Sequence, residues 1–209
     1  TNALVGTKVA ITSSRPQTTR TVVRGIVHRP DGQLVLVDTP GLHRPRTLLG
    51  ERLNDLVLST WSEVDVVAVC FPADEKIGPG DRFIVNELTK VRRTIKVAVA
   101  TKTDLVTPER LAEHLLAIAE LGRATDTEWA EIVPVSATGG EQVDLLADLL
   151  LALLPEGPAL YPDGELTDVE YWKELDRLEY YELSVHETKA DGTLRLSCPA
   201  SGISPTASC

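Results

Sequence analysis

Two runs, VVAVCF at 66 to 71 and KVAVAT at 96 to 101, are almost wholly apolar and rich in valine. A strand with one wet face alternates apolar and polar residues. A continuous apolar run predicts a strand covered on both faces, as in parallel sheets sandwiched by helices. Further strand-like runs are TVVRGIVH at 21 to 28, QLVLVD at 33 to 38 and EIVPVS at 131 to 136. Helical spacing of apolar residues fills the intervals. RTLLGERLNDLVLSTW sets Leu49, Leu53, Leu56 and Val57 on one face, and PGDRFIVNELTKV does so with Phe83, Ile84 and Leu88. PERLAEHLLAIAELG and EQVDLLADLLLALL follow the same pattern. Alternating strand and helix predicts an α/β fold with a doubly wound, mostly parallel sheet and helices on both faces. The turn PDGQ at 30 to 33 makes the runs at 21 and 33 an antiparallel hairpin at one edge.

The 209 residues suffice for one well-filled domain plus an appendage. No apolar run approaches the roughly 20 residues of a membrane span, and TNALVGTKVAITSSRP lacks the basic start and apolar core of a secretory signal. Cys70, Cys198 and Cys209 are odd in number and widely spaced, which suits neither a disulfide framework nor a zinc site. A reducing cytoplasm fits best. The net charge of -10 disfavours binding a phosphate backbone. Arg15, Arg20, Arg24, Arg29, Arg44 and Arg46 are the one candidate basic patch, and scattered solvated arginines are its plainer reading. His28, His114 and His186 have no matching nucleophile or ligand set and read as surface or packing residues.

In an open α/β sheet, ligands sit outside the carboxyl ends of the strands. Those ends carry Asp38-Thr39-Pro40-Gly41, Phe71-Pro72-Ala73-Asp74, Thr101-Lys102-Thr103-Asp104 and Ser136-Ala137-Thr138-Gly139. DTPG, TKTD and VSA, in this order, look like three signature elements of a GTP-binding domain. Asp38 suits a magnesium ion, a hard cation that takes carboxylate oxygen. Gly41 can bring a backbone N–H close to a terminal phosphate. Asp104 can accept two hydrogen bonds from guanine's N1–H and amino group, which adenine cannot supply. Lys102 can lay its stem on the base, with backbone N–H groups around Ser136, Ala137 and Thr138 meeting the guanine oxygen. In Gln17-Thr18-Thr19-Arg20, a hydroxyl can reach magnesium while the terminal phosphate is present. The candidate nucleotide set is therefore Thr18, Thr19, Asp38, Thr39, Pro40, Gly41, Thr101, Lys102, Thr103, Asp104, Val135, Ser136 and Ala137, with Thr19 and Asp38 as metal ligands.

KVAITSSRPQTTRTVVRGIVHRPDGQLVLVDTPGLHRPRTLLGERLNDLV, followed by ADEKIGPGDRFI, resembles the bacterial Era GTPase family in its actinobacterial form, from Thr1 to about Asp168. The resemblance implies a Ras-like P-loop GTPase domain that binds GTP or GDP with Mg2+ and hydrolyses GTP slowly. In the family this domain precedes a KH domain that binds small-subunit ribosomal RNA during assembly of the small ribosomal subunit, and members can associate peripherally with the membrane. Leu42, directly after DTPG, matches the family's lack of a glutamine to orient the attacking water.

Two departures accompany it. The phosphate loop G-x-x-x-x-G-K-[ST] occurs nowhere in the 209 residues, and in the family it lies just before the position of Thr1, together with the first strand. The expected fold is thus an incomplete one, with a slot where that mid-sheet strand belongs between the runs at 33 and 66. After Asp168 no G-x-x-G loop of a KH domain appears. The expected organisation is a truncated GTPase domain at 1 to 158, a linker at 159 to 170 and a divergent α+β tail at 171 to 209. In the tail, Trp172, Leu175 and Leu178 suggest a short helix, and Leu183, Val185, Asp191-Gly192, Leu194 and Leu196 a hairpin before a disordered end.

The leading expectation is an Era-like GTPase segment whose own nucleotide binding and hydrolysis are weak without the phosphate cradle. The alternative is a noncatalytic α/β interaction module derived from such a domain. An RNA-binding adaptor is opposed by the charge and by the missing KH signature.

Overall fold

The computed structural model describes residues 1 to 10, 22 to 42, 48 to 167, 184 to 188 and 194 to 197. The chain divides into two compact units, Thr1–Asp168 and Val169–Cys209.

The first unit opens with one helical turn, α1 (Asn2–Val5), closed by Gly6 in the left-handed conformation with φ 80°. That conformation costs glycine little, which is why the turn can stop there. The Asn2 carboxamide ties the next segment back. Its Oδ1 accepts from the N–H groups of Val9 and Ala10 at 3.0 and 2.8 Å, and its Nδ2 donates to the Ala10 carbonyl at 2.9 Å.

Strands β1 (Val23–Arg29) and β2 (Gly32–Asp38) form the expected antiparallel hairpin, with Val23 opposite Asp38. Its β1 side carries a further connection, since Ile26 N–H donates to the Leu166 carbonyl at 2.9 Å and Thr167 Oγ1 to the Arg24 carbonyl at 2.8 Å. Helix α2 (Leu48–Glu63), strand β3 (Val66–Pro72), helix α3 (Pro79–Leu88), strand β4 (Ile95–Thr101), helix α4 (Pro108–Ala124), strand β5 (Glu131–Pro134) and helix α5 (Val143–Ala152) follow. Strands β3, β4 and β5 pair in parallel in that order.

Burial along β4 explains its unbroken apolar run. Ala98 and Ala100 enter a core with Val57 and Trp61 of α2, Val85 and Leu88 of α3, and Ile118 and Leu121 of α4. Val97 and Val99 enter a second core with Val143, Leu146 and Leu150 of α5, against which the α1 residues Ala3, Leu4 and Val5 pack. Successive side chains point to opposite faces, so helices cover β4 from both sides.

Strand β3 corrects the expectation for its own run. Val67, Val69 and Phe71 are buried in the first core, but Ala68 and Cys70 on the other face are exposed. The cause is topological. Among the described residues no strand pairs with β2 or β3 on their facing sides, so the hairpin and the three-stranded sheet are separate ladders. The single turn of α1 meets β1 and α5. An apolar run reports that a strand is built to be covered, and cannot report that its cover is present.

In the second unit, β6 (Ser184–Thr188) and β7 (Leu194–Ser197) pair antiparallel with an irregularity between Val185 and Glu187. The expected helix around Trp172, and the Asp191-Gly192 turn, lie outside the described residues.

Candidate functional site

The base end of the site is built at the carboxyl ends of β4 and β5. Directly after β4, Lys102 adopts the left-handed conformation with φ 57° and ψ 38°, a strained choice for a residue with a Cβ. A short 3₁₀ turn (Thr103–Leu105) follows, and Thr107 caps α4 by accepting from the Arg110 N–H. This tight turn presents Asp104 at the surface, where it is exposed.

Ser136, just beyond β5, is fully buried. Its hydroxyl donates to Asp104 Oδ1 at 2.6 Å and accepts from the Gly139 N–H at 2.9 Å. Two loops that the sequence only suggested were neighbours are thus joined by one oxygen. A carboxylate offers about four acceptor sites, so this bond fixes Asp104 and leaves acceptor capacity for a ligand. Val135 lies buried beside Ser136, with its N–H donating to the Ala100 carbonyl at 2.8 Å, whereas Ala137 is exposed.

Lys102 extends toward the end of β3. Its Nζ lies 3.2 Å from Asp74 Oδ2 and 3.9 Å from Glu75 Oε1. Arg110 donates to the Asp74 carbonyl at 2.9 Å, and the Ala73 N–H donates to the Thr101 carbonyl at 2.8 Å. The sequence had placed Asp74 at a strand end on this rim without a role. Its position there was the available signal, and only the fold shows its partner.

The second end lies at the close of β2. Asp38 is half-buried, and loss of water around it raises its carboxyl above the ordinary 3.8, with the N-terminal ammonium pulling the other way. Pro40 and Leu42 are buried, and Leu42 joins the first core. A leucine side chain turned into the core cannot orient water. Gly41 is exposed, and among the described residues nothing lies within 4 Å of the position a Cβ would take on it. Thr18 and Thr19 lie outside the described residues. Asp38 also sits close enough to Cys70 for its charge to act there. Cys70 is exposed, and its thiol is pushed upward, first by desolvation, with the N-terminal ammonium pulling the other way and the Asp38 charge adding a smaller rise.

The donor set fits magnesium at one point. Among the described residues no three His, Cys, Asp or Glu side chains gather to hold a metal ion, and a single half-buried carboxylate, Asp38, suits an ion that keeps much of its water. One concavity lies between α3 and α4 beside His114, with Glu75 and Arg110 on its lining, and another at the opposite rim near Arg92 and Lys96. The base end is a surface shelf by comparison. Of the arginines considered as a basic patch, Arg29 is engaged by Asp144 of α5 at 2.6 Å.

Residues 1–102 match the family model described as "50S ribosome-binding GTPase". Residues over 80% of the chain are 77% identical to the GTPase Era of a Nocardioides strain and 71% identical to that of Streptomyces coelicolor. The chain belongs, over this part, to the Era GTPase family. It spans about half the length of these relatives, 54% and 53% respectively. The crystal structure of Era in complex with MgGDPNP and a segment of 16S ribosomal RNA superposes with a TM-score of 0.72 at 33% identity, covering 80% of this chain and 56% of that one. An Aquifex aeolicus Era variant bound to GDP and AlF4- gives 0.70 at 31%, covering 80% of this chain and 57% of that one. The α/β GTPase fold is therefore shown, partial relative to the full-length Era proteins.

Proposed function

We propose that residues 1 to 168 form the base-reading and part of the metal-binding side of an Era-type GTP-binding centre. The observation that carries this is the Ser136 hydroxyl locking Asp104 at 2.6 Å beside Lys102, at the carboxyl ends of adjacent parallel strands. Asp104 accepts the two donors on the guanine edge, and adenine, lacking that pair, is refused. The Lys102 stem covers the base, and backbone near Ser136 and Ala137 meets the guanine oxygen. Thr39, Pro40, Thr101, Thr103 and Val135 shape the loops that hold these groups.

Asp38, with Thr19, is the proposed magnesium contact, and Gly41 lends its N–H to the terminal phosphate. Bound magnesium would offset phosphate charge. The lysine and backbone nest of a G-x-x-x-x-G-K-[ST] loop are not among these 209 residues. Guanine nucleotide binding by this chain is accordingly weak, with little hydrolysis.

In a protein of the relatives' length, the proposed activity is slow GTP hydrolysis coupled to small-subunit ribosomal RNA and ribosome assembly. The Era structure bound to 16S ribosomal RNA supports this by likeness. A cytoplasmic location with peripheral membrane association belongs to the same proposal. Among the described residues no helix is long and apolar enough to cross a membrane.

A titration of the purified chain with fluorescent GDP in magnesium buffer tests the reading, with unlabelled GDP and ATP as competitors. Saturable binding displaced by GDP and not by ATP is expected; a folded sample that binds neither, or both alike, overturns it. A second reading, a noncatalytic interaction module, draws on the β2 and β3 edges that have no strand partner among the described residues. Concentration-dependent self-association through those edges would support it.

A further inference from the structure

We propose that Asp74 is a positioning residue for the base site: by engaging the Lys102 ammonium, it keeps that cation off Asp104. The inference rests on Asp104 being the base acceptor. Lys102 is a compact charge on a flexible four-carbon stem, and two carboxylates compete for it. One is Asp74 at 3.2 Å, and the other is Asp104, two residues along the same turn. Were Lys102 to fold onto Asp104, it would occupy acceptor sites that the guanine edge needs.

Burial decides the competition. The Asp74 side chain is only 32% exposed and its Oδ1 is buried with no hydrogen-bond partner, whereas Asp104 is exposed. An ion pair is stronger where water is scarcer and weaker where water and salt screen it. Removing Lys102 from Asp74 would also strand a partly buried charge. Among the described residues no ion pair holds a lysine at Asp104, whose Oδ1 already accepts from Ser136.

The Asp74 backbone is held for this task. Arg110 donates to its carbonyl at 2.9 Å, and Ala73 N–H to the Thr101 carbonyl at 2.8 Å, which fixes the end of β3 against the residue before Lys102. Glu75, 3.9 Å from the ammonium, adds to the pull in the same direction. The left-handed backbone at Lys102 opens the turn that carries Asp104.

Zero-length carbodiimide coupling of the whole chain without nucleotide, followed by peptide mapping, reads which carboxylate the lysine touches. The wild type should give mainly the Lys102–Asp74 linkage. In Asp74→Ala/Glu75→Gln the Lys102–Asp104 product should rise by about threefold or more, and Asp74→Glu should return it to the wild-type level. A wild type without the Lys102–Asp74 product, or one already dominated by Lys102–Asp104, overturns the proposal even if the variants fail to fold. Equal Lys102–Asp104 yields in wild type and a folded double variant do so as well. The readout needs no nucleotide, so a chain that fails to bind GDP leaves this result standing.

Discussion

The Ser136 hydroxyl donates to Asp104 Oδ1 at 2.6 Å while it accepts from the Gly139 N–H at 2.9 Å, so one fully buried oxygen couples the two loops of the base shelf. Replacing Ser136 by Ala leaves the Gly139 N–H and one Asp104 oxygen without this partner. Loss of a buried partner costs about 1–3 kcal/mol, and urea denaturation should show a decrease of that order. Wild-type stability in Ser136→Ala would mean that water replaces the hydroxyl without penalty.

Asp104→Asn changes the pattern offered to the base from acceptor-acceptor to acceptor-donor. Two bonds to a charged group, each about 1.5–3 kcal/mol, are affected, so guanine affinity should fall by about a hundredfold or more. Xanthine, which carries a carbonyl where guanine has its amino group, should gain. Competition of GDP and xanthosine diphosphate for the fluorescent probe checks this; an unchanged preference for GDP would place base reading elsewhere.

Gly122 lies in α4 beneath Trp129, which packs edge-on against Phe71 with ring centres 5.9 Å apart. A Cβ there would fall 2.5 Å from Trp129 Nε1 and 2.8 Å from the Thr127 carbonyl oxygen. The helix favours alanine over glycine by up to about 1 kcal/mol, but forcing atoms into a packed site costs about 1–3 kcal/mol, so the clash should win. Thermal unfolding followed by tryptophan fluorescence should show Gly122→Ala less stable than wild type.

Asp38 yields a pH dependence of defined sign. Desolvation raises its folded-state pKa above the 3.8 it has when solvated, so the folded form holds its proton more tightly than the unfolded form. Stability then falls as pH rises through the interval from about 3.8 to the raised value, and the full cost remains at neutral pH. Asp38→Asn removes an ionised group from a poorly hydrated place. It should be the more stable chain at pH 7 in metal-free buffer, with the difference vanishing below about pH 3.8. Denaturation curves across that range decide it, and an advantage that grows on acidification would contradict the assignment.

Legibility of the fold followed from where local chemistry was decisive. The hairpin Val23–Asp38 was plain because PDGQ forces a turn between two β-rich runs. Helix α4 was plain because Thr107 and Pro108 start it and its apolar residues share one face. The exposed face of β3 was not, since the sequence of a strand encodes its preference and the neighbours determine its outcome. At the site, motif spacing located Asp38, Lys102, Asp104 and Ser136, but not the bond between the last two, which depends on how β4 and β5 align. Nor could it show that Lys102 reaches back to Asp74, a contact across 28 residues that only the parallel pairing of β3 with β4 brings about. The hydroxyls of Thr18 and Thr19 were placed by motif alone and lie outside the described residues.

Among the described residues no ladder joins β2 to β3, and this has a mechanical consequence. Asp38 stands at the end of one hydrogen-bonded ribbon and Asp104 beside another, and side-chain packing around α5 joins them. The two halves can therefore loosen at different free energies, as separate foldons. A ligand that touches both acids would act as a clasp: amide exchange in the hairpin, fast relative to the three-stranded sheet in the free chain, would slow until the two ribbons opened together.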